Sequence, residues 1–218
     1  MVINCILSVL SVIAIIQLVR LVWESRKTRK LNIAVLKRHQ ELSYLSTMTT
    51  HAVSEASSIQ EFFPKQLNLL KETVNWSYHS IFRLDEKRQV VIIRFTGYLP
   101  DWYMEELGNK VLVKVGDAAV GRSISLKQAV TINTATMDPR FANVKIYSGE
   151  TGYRSLTCCP VIGRYKTYGG FCAYSKYVNI FTAHDAQFLA TCSNYYGGIL
   201  EYKLLLAYIE HHTERVLT

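Results

Sequence analysis

Residues 154–177, RSLTCCPVIGRYKTYGGFCAYSKY, decide the fold. Two runs of apolar, β-branched and aromatic residues flank a polar turn at 163–167. Runs of this length and composition, bounded by glycine, predict strands over 154–162 and 168–177. Side chains alternate across a strand, so adjacent Cys158 and Cys159 face opposite sides of the sheet and cannot chelate one ion. Towards the N-terminus, strands are expected at 78–84 and 89–97 around a turn at Asp85–Arg88, and shorter ones at 111–115 and 129–133. Leu67, Leu70 and Val74 at helical spacing predict a helix over 64–76, and a short helix fits 117–126. Residues 98–109 form a loop, and 134–150 form a long polar connection around Asp138-Pro139, of the kind that usually carries function or moves. Downstream, Thr182 with Asp185 makes a capping box for a closing helix over 183–213. That helix carries Phe188, Leu189, Cys192, Tyr196, Ile199, Leu200 and Leu204, and its Gly197-Gly198 pair suggests a close helix approach, at some cost in propensity.

The other end of the chain has a different character. Residues 2–19, VINCILSVLSVIAIIQLV, carry no charge. An uncharged helix of about 18 residues or more, at ~1.5 Å per residue, approaches the ~30 Å of a bilayer core. Extended through Trp23, the run is long enough to span, with Trp23 suited to the interface and Arg20 able to snorkel. A cleaved signal peptide fits less well, because the start is not basic, the following flank is, and no Ala-x-Ala-like site precedes Trp23. Residues 20–38 hold seven basic groups against Glu24, so they supply +6 of the chain's net +8. The positive flank predicts a single-pass plasma (inner) membrane protein, N-terminus out, with residues 24–218 cytoplasmic and 20–38 against anionic lipid. With the charge accounted for in this way, and no zinc-finger or RNA-recognition signature, nucleic-acid binding is not expected.

Between these ends, residues 24–63 read as a helical connector. With Leu31 at heptad position d, the a/d series is Leu31, Val35, Arg38, Leu42, Leu45, Thr49, Ala52, Ala56, Ile59 and Phe63. It fits a short, loose parallel coiled coil or, equally, an amphipathic helix packing on its own domain. Ser58 and Glu61 are spaced as a capping box that restarts the helix, and Pro64 either kinks it or opens a new one. The expected organisation is therefore an anchor over 1–23, a connector over 24–63, a domain over 64–213 and a tail over 214–218. The five cysteines, one of them (Cys5) in the anchor, make no disulfide framework, and the six histidines form no HExxH or zinc-spaced pattern.

The segment 116–202 resembles a GAF domain, the small-molecule sensory module of many signalling proteins. The resemblance lies in GDAAVGRSISLKQAVTINTATMDPRFA (116–142), RSLTCCPVIG (154–163), YGGFCAYS (168–175) and FTAHDAQFLATCSNYYGGILEY (181–202). Each motif is loose, but together in this order they are specific. The resemblance implies an α+β fold: a central antiparallel sheet of five or six strands, the first and last helices on one face, a ligand pocket with its loop on the other, and a parallel dimer through the helices. The chain departs from several branches of the family. It lacks the Cys-His pair of bilin-binding relatives. Phe181 and Asp185 fit the cyclic-nucleotide signature, but Ala186 replaces its glutamate and 163–168 has no Asn-Lys. Residues 134–153 contain none of the cysteines that the free-methionine-sulfoxide reductases need.

The candidate ligand-binding residues are Asn133, Asp138, Arg140, Tyr147, Tyr153, Arg154, Ser155 and Tyr174. The arginines offer planar forks suited to carboxylate or phosphate, or hold the loop through Asp138 or Glu150. The tyrosines are rigid walls with a polar tip. The spacing of Gly116 and Gly121, without a following Lys-Ser/Thr, reads as a turn rather than a phosphate loop. No nucleophile–base–orienter set assembles, no metal site is expected, and no cofactor is named by these motifs. The expected function is a membrane-tethered, non-catalytic sensor of a small cytosolic ligand, signalling through a homodimer or a partner protein. The alternatives are a structural scaffold whose pocket is filled by side chains, and a nucleotide-gated effector that oligomerises through its anchor.

Overall fold

A computed structural model describes residues 2–54, 58–87, 89–97, 113–135, 137–138 and 152–216, without the side chains of 2–14, 53–54, 93–97, 210–211 and 213–216. The chain divides into two compact units, Met1–Ser43 and Tyr44–Thr218. From Val2 onward the first unit belongs to helix α1 (Val2–Ser54). Its surface carries an Arg20–Glu24 pair at 3.2 Å and Lys27 over the Trp23 ring at 5.5 Å. Exposed contacts of this kind contribute a few tenths of a kcal/mol each, so they decorate the helix rather than hold it. The apolar side chains from Ile15 to Trp23 are exposed. Among the described residues no helix is long and apolar enough to cross a membrane, so the transmembrane anchor expected over 1–23 is not found there. Most of the uncharged run, residues 2–14, has side chains outside the description.

The second unit is built on a six-stranded antiparallel sheet in the order β3-β2-β1-β6-β5-β4. Its strands are β1 (Tyr78–Asp85), β2 (Val90–Gly97), β3 (Val113–Lys114), β4 (Val130–Ile132), β5 (Ser155–Ile162) and β6 (Thr167–Ser175). The opening stretch forms the central β5–β6 hairpin, with Cys158 opposite Cys172 and Cys159 opposite Phe171. Both faces of this hairpin are buried, which is why it reads as a continuous apolar run rather than an alternating one. Cys158 and Cys159 do separate: Cys159 joins the core under the long helices, and Cys158 the core on the other face. The β1–β2 turn closes as expected at Asp85, whose carboxylate accepts from the Lys87 amide at 3.1 Å.

Helix α2 (Ile59–Thr73) begins earlier than the expected 64–76 because Ser58 is its N-cap, with a complete capping box to Glu61. Pro64 lies inside this helix, in its second turn, so it does not open a new one. Helix α4 (Ala183–Val216) starts at the predicted box, with Thr182 and Asp185 bonded reciprocally. Helices α2 and α4, together with Tyr44, Met48 and Ala52 from the end of α1, bury one face of the sheet. The buried stripe over 44–52 is Tyr44, Met48 and Ala52, with Leu45 half-buried against the same core; of the heptad positions here Thr49 is exposed, and the most buried side chains, Tyr44 and Met48, lie off the series. Over this stretch, therefore, the helix packs on its own domain. The third helix of the unit, α3 (Ala118–Leu126), covers the opposite face with Ala119, Val120 and Ile124.

The glycine pair of α4 corrects one expectation. A Cβ on Gly197 would strike the Ile162 carbonyl at the end of β5, so the close approach is to a strand and not to a second helix. Gly198 faces open space. Gly197→Ala is expected to cost about 2 kcal/mol or more, because backbone cannot retreat as a flexible side chain can. Gly198→Ala should be neutral or stabilise by up to ~1 kcal/mol through helix propensity. Thermal melts of the two variants check this; equal losses would contradict it.

Candidate functional site

The candidate residues lie where β4, β5 and β6 meet on the α3 face of the sheet. Tyr153, just before β5, and Tyr174 on β6 are both buried, with ring centroids 4.7 Å apart. The Tyr174 hydroxyl is 2.9 Å from the Ser80 hydroxyl of β1, which gives its polar tip a partner inside the core. Leu156, Cys158 and Cys172 continue this surface towards Val120 and Ile124 of α3. Burial, then the neighbouring Cys172, push the Cys158 thiol well above its ordinary range, and burial pushes Cys159 up to about 12. Both are thiols at neutral pH and so poor nucleophiles.

The rim is polar. Arg154 is exposed, its amide donates to the Ser175 carbonyl at 2.6 Å, and its own carbonyl accepts from Ala135 at 2.8 Å. These bonds fix the start of β5 against the turn that follows β4. In that turn the Asp138 amide donates to the Thr134 carbonyl at 3.1 Å, and the Asn133 carbonyl accepts from Asn179 at 2.9 Å. Ser155 is fully buried, and its hydroxyl donates to the Tyr177 carbonyl at 2.6 Å. By strand alternation it points away from Leu156 and Cys158. The structure therefore brings Tyr153, Tyr174, Arg154, Asn133 and Asp138 to one corner of the sheet, and employs Ser155 in holding the strand end. Arg140, Tyr147 and most of the 134–150 connection lie outside the described residues.

Two further expectations can be placed. The Gly116 amide donates to the Gly121 carbonyl at 2.9 Å, and a Cβ on Gly121 would strike the Lys114 carbonyl. The pair closes a turn on itself, and its donor is not free for a phosphate. Among the described residues, no three His, Cys, Asp or Glu side chains are grouped to hold a metal ion.

Sequence reasoning missed a buried polar cluster under the helices. The Tyr44 hydroxyl lies 2.6 Å from that of Tyr196 and donates to the Gln66 carbonyl at 3.3 Å. Gln66 also meets the His51 ring at 3.3 Å. His79 donates from Nε2 to the Leu67 carbonyl at 2.6 Å, leaving Nδ1 buried without a partner among the described residues. Burial raises the Tyr44 and Tyr196 phenols and lowers His79 to about 4. An isolated His on an apolar face gives no sequence signal of this network.

An antiparallel sheet with two helices on one face and a short helix and polar rim on the other defines the class of this domain as α+β. The GAF domain family model matches residues 58–200, and the chain belongs to that family. Solved structures agree on the fold. The GAF domain of a phosphoenolpyruvate-protein phosphotransferase from Coxiella burnetii superposes with a TM-score of 0.65 at 16% identity, covering 78% of this chain and 97% of that one. The corresponding Acinetobacter domain gives 0.61 at 20% identity, covering 77% and 96%. The free methionine-R-sulfoxide reductase of Neisseria meningitidis, in complex with its substrate, gives 0.63 at 14% identity, covering 79% and 93%. No curated protein matches the sequence.

Proposed function

We propose that the chain is a membrane-tethered, non-catalytic GAF sensor that binds a small cytosolic ligand at the Tyr153–Tyr174 corner. The observation that carries this reading is the division of labour between the two sheet faces. The helix face holds a core of large buried side chains with a largely apolar cleft between α2 and α4, whereas the α3 face ends in two tilted tyrosine rings beside an exposed guanidinium. Flat rings and a planar cation suit a ligand with an unsaturated or planar body and a carboxylate or phosphate group. Support for the tether comes from the uncharged run at 2–19, its basic flank, and the exposed apolar side chains from Ile15 to Trp23. In this reading the flank meets anionic lipid, the bulk of the chain is cytoplasmic, and occupancy biases a homodimer or a partner protein by population shift. A non-catalytic role is favoured by the four described cysteines, all of them buried. The sulfoxide reductase among the structural relatives keeps an enzymatic reading in view, and methionine sulfoxide belongs in the test panel.

Calorimetric titration with a panel of metabolites, cyclic nucleotides and methionine sulfoxide tests this. Saturable binding without turnover is expected. Arg154→Ala should weaken it roughly tenfold or more, the scale of a lost charge-assisted hydrogen bond, with no change in melting temperature. Turnover of any panel compound, or indifference to Arg154, would count against the proposal. A scaffold reading draws on one observation: Tyr153, Tyr174 and Ser80 already fill part of this face with mutually satisfied side chains. Absence of binding across the panel would favour it.

A further inference from the structure

A cavity lies on the helix face of the sheet, opposite the face that carries the Tyr153–Tyr174 pair. It is a cleft of about 220 Å³ between α2, α4 and the strands β1, β5 and β6. Its walls are Ile59, Phe63, Ile81, Val161, Leu200 and Leu204. The polar groups at this cleft are few. The carboxylate of Glu201, next to Leu200, is spent on the β5–β6 turn, accepting from the Arg164 amide at 2.9 Å and the Tyr165 amide at 3.1 Å. Tyr168, which also lines the cleft, is engaged by the same carboxylate. Two exposed polar residues remain at the cleft, the neutral Gln60 and the cationic Arg83, and Arg83 has no acidic partner among the described residues.

We infer that this cleft binds a single-chain amphiphile, its aliphatic tail between α2 and α4 and its carboxylate at Arg83. The chemistry follows from the lining. Six apolar side chains reward an aliphatic body, and an unpaired guanidinium at the edge selects an anionic end over a neutral one. Size excludes larger candidates. At ~30 Å³ each, the share of a water molecule in the liquid, the cleft has room for about seven non-hydrogen atoms. A two-chain phospholipid is far too large, whereas the tail of a medium-chain carboxylate fits. An occupied cleft ties α2 to α4 across the sheet and stabilises the pair by linkage.

The test uses the full-length chain, handled without detergent, titrated calorimetrically with octanoate and with 1-octanol. Octanoate is expected to bind at least tenfold more tightly than 1-octanol and to raise the melting temperature. Arg83→Gln should erase that preference while leaving alcohol binding unchanged. Leu204→Trp, at a partly exposed position that tolerates a larger ring, should fill the cleft and abolish both. Arg154→Ala should change neither, which separates this cleft from the proposed ligand corner. Equal affinity for acid and alcohol, an unchanged preference in Arg83→Gln, or unaltered binding in Leu204→Trp would each overturn the inference.

Discussion

Phe63→Ala is expected to destabilise the domain by about 4 kcal/mol, the middle of the range for buried aromatics. Phe63 is fully buried, and its ring stands edge-on to Phe62 at 5.3 Å and to Tyr196 at 5.1 Å. Each such pair adds roughly 0.5–1.5 kcal/mol beyond the burial itself. The position also walls the cleft between α2 and α4, so truncation enlarges an existing void instead of opening a small one. Collapse around it is resisted, because α2 is pinned at its start by the Ser58–Glu61 box and along its length by Leu67 and Leu70. For a domain of this size, the loss corresponds to a fall in melting temperature of roughly 10 °C. Gln60→Ala, one turn away and exposed, should stay within about 0.5 kcal/mol. Chemical denaturation of both variants measures the difference. A Phe63→Ala loss below about 2 kcal/mol would mean that the face repacks.

The second large effect is a loss of stability in mild acid. His79 is held neutral by burial, with Lys71 adding to the effect and the hydrogen bond to the Leu67 carbonyl opposing it, so its pKa falls from 6.5 to about 4. Between these values the unfolded chain takes up a proton that the folded chain refuses. Folded stability is therefore fully present above pH 6.5 and is lost as the pH falls towards 4. At ~1.4 kcal/mol per pKa unit, the loss across that window approaches about 3 kcal/mol. The groups acting on the ring are the Leu67 carbonyl and Lys71, neither of them a carboxylate that would mask the trend. His79→Gln keeps a donor for the Leu67 carbonyl and removes the titration. Its stability should be flatter between pH 7 and 4 than that of the native chain, by an amount of this order. Identical slopes would show that His79 is not the group responsible.

The parts of the fold legible in the sequence are those governed by local rules. Strand alternation separated Cys158 from Cys159, and the Thr182–Asp185 and Ser58–Glu61 boxes marked the starts of α4 and α2, because caps depend on side chains three residues apart. Pro64 was ambiguous for the opposite reason: its tolerance inside α2 depends on what surrounds the helix, which no local rule states. Gly197-Gly198 correctly signalled close contact but not its partner, since glycine reports the lack of space and not what fills it. The Tyr44–Tyr196 bond and the His79 anchor join residues far apart in sequence and were invisible for that reason. At the candidate corner, residue type was enough to suggest Tyr153, Arg154 and Tyr174. It did not reveal that Ser155 turns to the opposite face and serves Tyr177.

The central claim is that the ligand sits on the α3 face, at the Tyr153–Tyr174 corner. Backbone hydrogen exchange of the full chain, with and without a saturating compound identified by the panel titration, tests this most directly. The prediction is protection concentrated in 118–124, 133–138 and 152–158, with α2 unchanged. Protection confined to α2 and α4, with the corner exchanging as in the free chain, would contradict it.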